Sequence, residues 1–126
     1  MLPYITHMFM CGEESGEWLY GKKNRSKFIQ LNNAIDAKKY VFDRKVRKCI
    51  RRELNIQDKQ KVIGHVGRFN IQKNHDFIIE IFREIHSKDK NAVLLLIGND
   101  MQDEGRKIHE KVKKYHLDKS VLFLGV

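Results

Sequence analysis

The sequence predicts an α/β fold in which crossover helices join the strands of a parallel sheet. Three short apolar runs, at residues 61–66, 92–97 and 121–124, have the length and composition of buried strands. Two segments between them, 77–85 and 105–115, carry apolar residues at helical spacing. This order of strand, helix, strand, helix, strand is typical of a parallel sheet, because parallel neighbours need a crossover connection.

Shorter elements precede this core. Residues 4–11 form an apolar run typical of a strand, and residues 13–20 predict a helix. Gly21 should end that helix, since glycine is favoured just after a helix. Residues 28–31 predict a second short strand, and Asp36 is expected to cap the turn that follows.

A basic amphipathic helix is predicted next. It begins after Asp43 and reaches about Leu54, and Val46 and Ile50 complete an apolar stripe with a spacing of four residues. The lysines and arginines between them should lie on the solvated side of the helix.

The two helices predicted in the core differ in their apolar content. Asn74 can cap the first, and its apolar residues form one helical stripe that consists of Phe77, Ile78, Ile81, Phe82 and Ile85. The second helix offers only Ile108, Val112 and Tyr115 to a core, so we expect it to be mostly exposed.

A cationic loop joins the first core strand to the helix after it. Gly67 permits a tight exit from the strand, and Arg68 and Lys73 follow on the same loop. Open α/β sheets bind ligands at the carboxyl ends of their strands, where an arginine fork and a lysine ammonium can grip a diphosphate. On spacing alone, ordinary solvated cations are the better interpretation, and the diphosphate site is the alternative.

A longer match favours the diphosphate site. The segments VGRF at 66–69 and QKNH at 72–75, with the apolar helix after them, resemble the retaining glycosyltransferases of family 4, which have the GT-B fold. Residues 7–21 are similar to the segment that opens the second domain in bacterial polysaccharide members, and NAID at 33–36 resembles their Asn-Gly-(Ile/Val)-Asp turn. Two strands that end in glycine also look like strands of that domain: LLLIG at 94–98 and VLFLG at 121–125.

The resemblance implies a Rossmann-like sheet in an incomplete C-terminal half-domain of a GT-B fold, with a UDP- or GDP-sugar as donor. It implies transfer of the sugar, with retention, to a saccharide or lipid-linked acceptor in bacterial capsular or exopolysaccharide biosynthesis, without a required metal cofactor. Arg68 and Lys73 match the cations that stabilise the leaving diphosphate and are the expected catalytic residues. The expected nucleotide contacts are Gly67, Gly98, Asn99 and Gly125, the last with Val126 near the base.

The resemblance extends to Val126. The family's Glu-x7-Glu motif, whose carboxylates meet the donor sugar and ribose, does not occur in the sequence. We therefore expect a fragment that keeps part of the donor site, needs the N-terminal acceptor domain as a partner and is inactive alone. A natural remnant without activity is the alternative.

At 126 residues the chain is expected to form a single partial domain, with a lead-in at 1–60 and the core at 61–126. No apolar run is long enough to span a bilayer and no signal peptide is recognisable, so we expect a cytoplasmic location. Cys11 and Cys49 are expected to be reduced and buried, and the scattered histidines predict no metal site.

The net charge of +9 indicates an anionic partner. Basic residues crowd the stretch 38–52, where a solvated helix face is the better interpretation and contact with the inner face of a membrane is the alternative. The competing function is nucleic-acid binding, because Tyr40, Phe42 and Phe69 lie near basic residues, but no recognition motif accompanies them. An incomplete sheet would expose an edge and an apolar helix face, so self-association is expected.

Overall fold

The computed structural model describes residues 4–100 and 103–126 of the chain. Its contacts divide into two compact units, Met1–Asp43 and Arg44–Val126. Each unit has its own parallel sheet, two-stranded in the first and three-stranded in the second. The candidate site belongs to the second unit.

The first unit pairs two short strands beside one helix. Strand β1 (Met8–Met10) runs parallel to β2 (Phe28–Gln30), and helix α1 (Glu13–Tyr20) connects them in sequence. Gly16 of α1 packs so closely on β1 that a side chain at this position would collide with the thioether of Met10. The predicted helix end at Gly21 is confirmed by its positive φ of 82°.

Two 3-10 segments, Lys22–Lys27 and Ala37–Tyr40, complete the first unit. The side chain of Asp36 accepts a hydrogen bond from the Lys38 amide over 3.2 Å, which confirms the predicted capping role. Several large apolar side chains of this unit are exposed, among them Trp18, Leu19, Tyr40, Val41 and Phe42.

The second unit contains the predicted core. Its elements follow the order α2 (Arg44–Glu53), β3 (Lys61–Val66), α3 (His75–Lys88), β4 (Ala92–Ile97), α4 (Glu104–Lys114) and β5 (Val121–Gly125). The sheet order is β3-β4-β5 and both pairs are parallel, with Lys61 opposite Ala92 and Leu94 opposite Val121. The predicted α/β class and element order are confirmed.

One face of the three-stranded sheet carries the core. Side chains alternate along a strand, so every second residue of β4 packs toward α3 and α4. The residues of these elements that are almost fully buried include Ile79, Phe82, Leu94, Leu96, Ile108 and Val112. Burial of one such large side chain contributes about 1.5–3 kcal/mol, so this core fixes the strands whose carboxyl ends form the candidate site.

The opposite face of the sheet is partly covered by α2. Ile50 of this helix and Leu54, which directly follows it, line a groove of about 610 Å³ together with Val62 of β3 and Leu95 of β4. Val46 and Ile50 still expose 57% and 46% of their surface, so the predicted apolar stripe is present and incompletely covered.

Among the described residues, no helix has the length and apolar character needed to cross a bilayer.

The apolar stripe predicted for α3 is buried only in part. The helix buries Ile79 and Phe82, whereas Phe77 and Ile81 are 58% and 46% exposed. Residues 77, 81 and 85 are spaced by four, so they form a side of the helix turned away from the sheet.

The predicted burial of the cysteines is also wrong. Cys11 and Cys49 are free thiols, and both are exposed. Cys11 follows a three-residue strand in the small first unit, and Cys49 lies on α2, which has no buried residue. Neither element is packed on enough sides to cover a thiol.

Candidate functional site

The loop after β3 is held against the exit of β4. The Gly67 amide donates a hydrogen bond to the Ile97 carbonyl over 2.8 Å. Two residues later, the Phe69 amide donates to the Asn99 carbonyl over 2.9 Å. The backbone of Arg68 is therefore anchored on both sides, while its side chain is exposed at the surface.

Lys73 lies near the end of the same loop, as the last residue of a 3-10 turn that spans Ile71–Lys73. The side-chain oxygen of Asn70 accepts a hydrogen bond from the Lys73 amide over 3.1 Å and so begins this turn. The aliphatic stem of Lys73 passes close to Gly67, because a Cβ on that glycine would lie 3.3 Å from the lysine Cδ. The structure thus brings Gly67, Arg68 and Lys73 together on one loop.

Asn74 ends the loop and caps α3. Its φ of 47° places it in the left-handed region, and its side-chain oxygen accepts a hydrogen bond from the Phe77 amide over 3.3 Å. The predicted helix cap is confirmed. The cap fixes the direction in which α3 leaves the loop, directly after Lys73.

Gly98 joins the cationic loop to the rest of the strand edge. A Cβ at Gly98 would overlap the carbonyl oxygen of Gly67, so only glycine fits between the two backbones. The Gly98 amide also donates to the Gly125 carbonyl over 2.8 Å. The four predicted nucleotide contacts, Gly67, Gly98, Asn99 and Gly125, therefore lie side by side at the carboxyl ends of the three strands, and this row is called the strand edge below.

A cleft of about 480 Å³ opens beside this edge. Gly98 and Gly125 belong to its lining, whereas Arg68 and Lys73 lie on the neighbouring loop. Gly125 has a φ of 68°, a conformation that a residue with a side chain adopts only with strain. The cleft therefore has a wall of bare backbone at the carboxyl ends of β4 and β5.

The side chains described next line the cleft but were not predicted as site residues from the sequence. His109 of α4 stacks on Phe123 of β5, with ring centroids 3.5 Å apart and an interplanar angle of 20°. Asp100 accepts a hydrogen bond from the Gly105 amide over 2.8 Å and so attaches the start of α4 to the end of β4. A spacing of four places Gly105 and His109 on one side of the helix, which was the signal available for this wall.

Charge is distributed unevenly around the cleft. Arg106 lies in its lining and pairs with Glu110 at 3.0 Å and Asp103 at 3.5 Å, and the two carboxylates raise the pKa of the guanidinium. Across residues 4–100 and 103–126, no group of three His, Cys, Asp or Glu side chains could hold a metal ion. The edge and cleft together present cations, bare backbone and aromatic rings.

Comparison with known sequences gives consistent matches. The sequence model of the family described as Glycosyl transferases group 1 matches residues 46–126. EpsF of Bacillus subtilis (strain 168), which is named as a glycosyltransferase, is 28% identical over 99% of this chain and 33% of EpsF. The amylovoran biosynthesis glycosyltransferase AmsD of Erwinia amylovora is 36% identical over 49% of this chain and 16% of AmsD.

A similar fold occurs among solved structures. The crystal structure of HepE from Anabaena, in complex with UDP and glucose, superposes with a TM-score of 0.83, at 16% identity, over 98% of this chain and 33% of HepE. This likeness concerns the fold and confirms the prediction of a partial, Rossmann-like half-domain of the GT-B type. The chain spans about a third of the length of EpsF and of HepE.

Proposed function

The chain belongs to the family of group 1 glycosyl transferases, and on that premise we propose that its second unit binds the nucleotide diphosphate of a sugar donor. The observation that carries this proposal is the position of Arg68 and Lys73 on one loop, beside a strand edge lined by glycines. A diphosphate needs positive charge and a backbone that it can approach closely, and this edge offers both.

The proposed chemistry is transfer of the donor sugar, with retention, to a saccharide or lipid-linked acceptor. The leaving diphosphate gains negative charge as the glycosidic bond breaks. Arg68 can hold two phosphate oxygens with its planar fork, and Lys73 supplies a compact charge on a flexible stem. No step in this scheme requires a metal ion. The name of AmsD, an amylovoran biosynthesis enzyme, supports a role in bacterial polysaccharide synthesis.

The cleft beside the cationic loop is the proposed nucleoside site. Its volume of about 480 Å³ is in the range of small-molecule pockets. His109 and Phe123 give it an aromatic wall, and Gly98 and Gly125 leave the backbone open to a base or ribose. HepE has been crystallised with UDP, which makes UDP the first nucleotide to test and GDP the second.

Donor binding is the activity we propose for these 126 residues by themselves. The curated relatives are about three times as long, so complete sugar transfer is proposed for a protein of that length, together with an acceptor-binding domain. We expect the 126-residue chain to bind donor nucleotide and to transfer no sugar. An inactive remnant would bind none.

Helix α2 supports contact with an anionic membrane surface near a lipid-linked acceptor. It carries several basic residues and one acidic residue. Arg47 pairs with Asp58 at 3.0 Å and Arg51 donates to the Gln60 carbonyl over 2.6 Å, so part of this charge serves the fold. The exposed lysines and arginines of the helix would give a contact that weakens as salt is added.

The donor-binding proposal is tested by titrating isotope-labelled protein with UDP, GDP and ADP while backbone amide shifts are recorded. The double variant Arg68→Ala, Lys73→Ala removes the proposed diphosphate contacts. The matched control, Lys113→Ala with Lys114→Ala, removes the same charge from the exposed end of α4. We expect saturable shifts around residues 67–74 and 98 in the wild type and in the control, and none in the Arg68/Lys73 variant.

An absence of shifts in folded wild-type protein would refute the donor site. Indifference to nucleotides, combined with binding of random single-stranded DNA that falls steeply with salt, would favour the nucleic-acid function instead.

A further inference from the structure

Two histidines pack beneath the cationic loop. His65 lies at the end of β3 and His75 is the first residue of α3. Their rings meet edge to face with 4.8 Å between centroids, at an interplanar angle of 86°. His75 also stacks on Phe69 at 4.3 Å. The imidazole of His75 therefore contacts both the strand that enters the loop and the middle of the loop.

Three ring nitrogens of this pair are buried without a hydrogen-bond partner in the described part of the chain. His75 is 3% exposed, and within the described part of the chain neither of its ring nitrogens makes a hydrogen bond of normal geometry, although the Gly67 backbone lies nearby. The Nε2 of His65 is buried in the same way. Unpaired buried polar atoms destabilise a fold, and a phenyl ring would fill the same place without them. Packing alone therefore does not explain two imidazoles here.

Both rings border the peptide that leads to Arg68. A Cβ on Gly67 would lie 3.2 Å from Nε2 of His65 and 3.3 Å from Cδ of Lys73, so the glycine is flanked by the imidazole and the lysine stem. The Gly67 backbone also lies close enough to His75 to favour its protonated form. A change in the position or charge of either ring would therefore act directly on the Gly67 peptide.

We propose that His65 and His75 are positioning residues for the cationic loop. With His75 neutral, the two rings hold the Gly67 peptide and the Lys73 stem in the phosphate-binding arrangement, and protonation of His75 disturbs that arrangement. Neither imidazole contacts the donor, because both act through the loop above them. The inference rests on the proposed donor site.

The surroundings of His75 favour its neutral form. Burial lowers the pKa of the imidazole, the neighbouring His65 and then Lys73 lower it further, and the Gly67 backbone opposes them. A proton on His75 would therefore be placed in a buried position close to the lysine that the loop presents to phosphate.

Carboxylates near the pair do not cancel this effect. Asp76 on α3 and Glu104 on α4 line a small cavity of about 120 Å³ together with His75. Asp76 is already paired with Lys111 at 2.7 Å, and Glu104 with Lys107 at 2.6 Å. From β3, the loop, α3 and α4, the charged and titratable groups that face the ring are His65, Lys73, Asp76 and Glu104.

The test is a pH titration of the free 126-residue chain by NMR, from about pH 8 to about pH 5, a range that covers histidine protonation. The ring signals of His65 and His75 are followed together with the backbone amides of residues 67–74. We expect the loop amides to shift with the same midpoint as the His75 ring. UDP affinity should fall about tenfold across that midpoint, since displacement of a positioned contact has effects of this order.

The variant His75→Phe keeps the stacked ring and removes its nitrogens. It should abolish the pH response of the loop amides and remove the fall in UDP affinity that accompanies protonation of His75, with thermal stability unchanged or raised. The exposed His7 provides the matched control, His7→Phe, which should change nothing in the loop. If His75→Phe does not fold, His65→Phe replaces it: without the neighbouring imidazole the midpoint of His75 should move to higher pH, and the midpoint of the loop amides should move with it.

Loop amides that ignore the titration of His75, or a folded variant that responds to pH like the wild type, would overturn the inference. If the wild type binds no UDP at any pH, the donor site is refuted. The coupling between imidazole and loop in the free chain still decides the positioning role, so the two failures are distinguishable.

Discussion

The imidazole of His109 lies almost parallel to the phenyl ring of Phe123, with 3.5 Å between the ring centroids. One ring comes from α4 and the other from β5, so the pair closes the cleft between a helix and a strand end. Arg68 and Lys73 lie on a separate loop. The nucleoside and diphosphate parts of the proposed donor site can therefore be tested independently.

Substitution of Phe123 by leucine or of His109 by alanine should weaken UDP binding by about 1–3 kcal/mol, the usual value of base stacking on an aromatic ring. Pyrophosphate carries no base, so its binding should stay unchanged. Calorimetric titrations with both ligands measure the difference, and His7→Ala is the control. An equal loss for UDP and pyrophosphate would contradict a nucleoside role for the cleft.

Removal of a loop cation should have the complementary effect. Arg68→Ala or Lys73→Ala should weaken pyrophosphate and UDP alike, because both ligands lose a charged contact. In a complete enzyme of the family, either change should lower kcat/KM by about 2–4 kcal/mol of transition-state stabilisation. Lys113→Ala, a charge removal on the exposed end of α4, is the control, and unchanged turnover in the loop variants would remove the catalytic assignment.

The close approach of two backbones predicts a stability effect at Gly98. A methyl group there would overlap the Gly67 carbonyl oxygen, so Gly98→Ala should lower the free energy of unfolding by about 1–3 kcal/mol. At Gly64 a Cβ would meet nothing within 4 Å, so Gly64→Ala should be neutral or stabilising. Urea unfolding of both variants measures the contrast, and equal stabilities would mean that the loop yields to the added methyl.

Lys111 links α4 to α3. Its ammonium lies 2.7 Å from a carboxylate oxygen of Asp76 and 2.7 Å from one of Glu80, and its side chain is mostly buried. Lys111→Met should lower the free energy of unfolding by about 1 kcal/mol, since it leaves two carboxylates without their shared donor. Lys113→Met, on the exposed side of α4, should leave stability unchanged in the same urea titration.

The stability of the fold should depend on the protonation of His75. Its pKa in the folded chain lies below the ordinary value of about 6.5, so the unfolded chain binds the proton more readily. The stabilisation is complete above about pH 6.5 and is lost as the pH falls through the lower folded pKa. Urea unfolding on both sides of this range should show the decrease in the wild type and a smaller decrease in His75→Phe.

Local sequence signals were sufficient for the core elements and the cationic loop. The runs at 61–66 and 92–97 match β3 and β4 residue for residue, because each largely apolar run follows a polar residue and is ended by a glycine. Arg68 and Lys73 share a loop because the chain between them is too short to separate them.

Features that depend on tertiary placement were beyond the sequence. The periodicity of α3 marks a broad apolar side, and the position of the sheet decides that Ile79 is buried and Phe77 is exposed. The contact between His109 and Phe123 joins residues on different elements, and their meeting depends on how α4 lies on the sheet. No local pattern encodes that orientation.

The contact between Gly67 and Gly98 also bears on how such sequences can change over time. A side chain at Gly98 displaces the backbone of the loop after β3, so a substitution there can persist only with a compensating rearrangement of the peptide at Gly67. The sequences of the loops after β3 and β4 therefore restrict each other. This holds although about thirty residues of chain, with their own helix, lie between the two loops. In an alignment of relatives, glycine should therefore be retained at the position of Gly98 more strictly than at the position of Gly64, where a Cβ meets nothing within 4 Å.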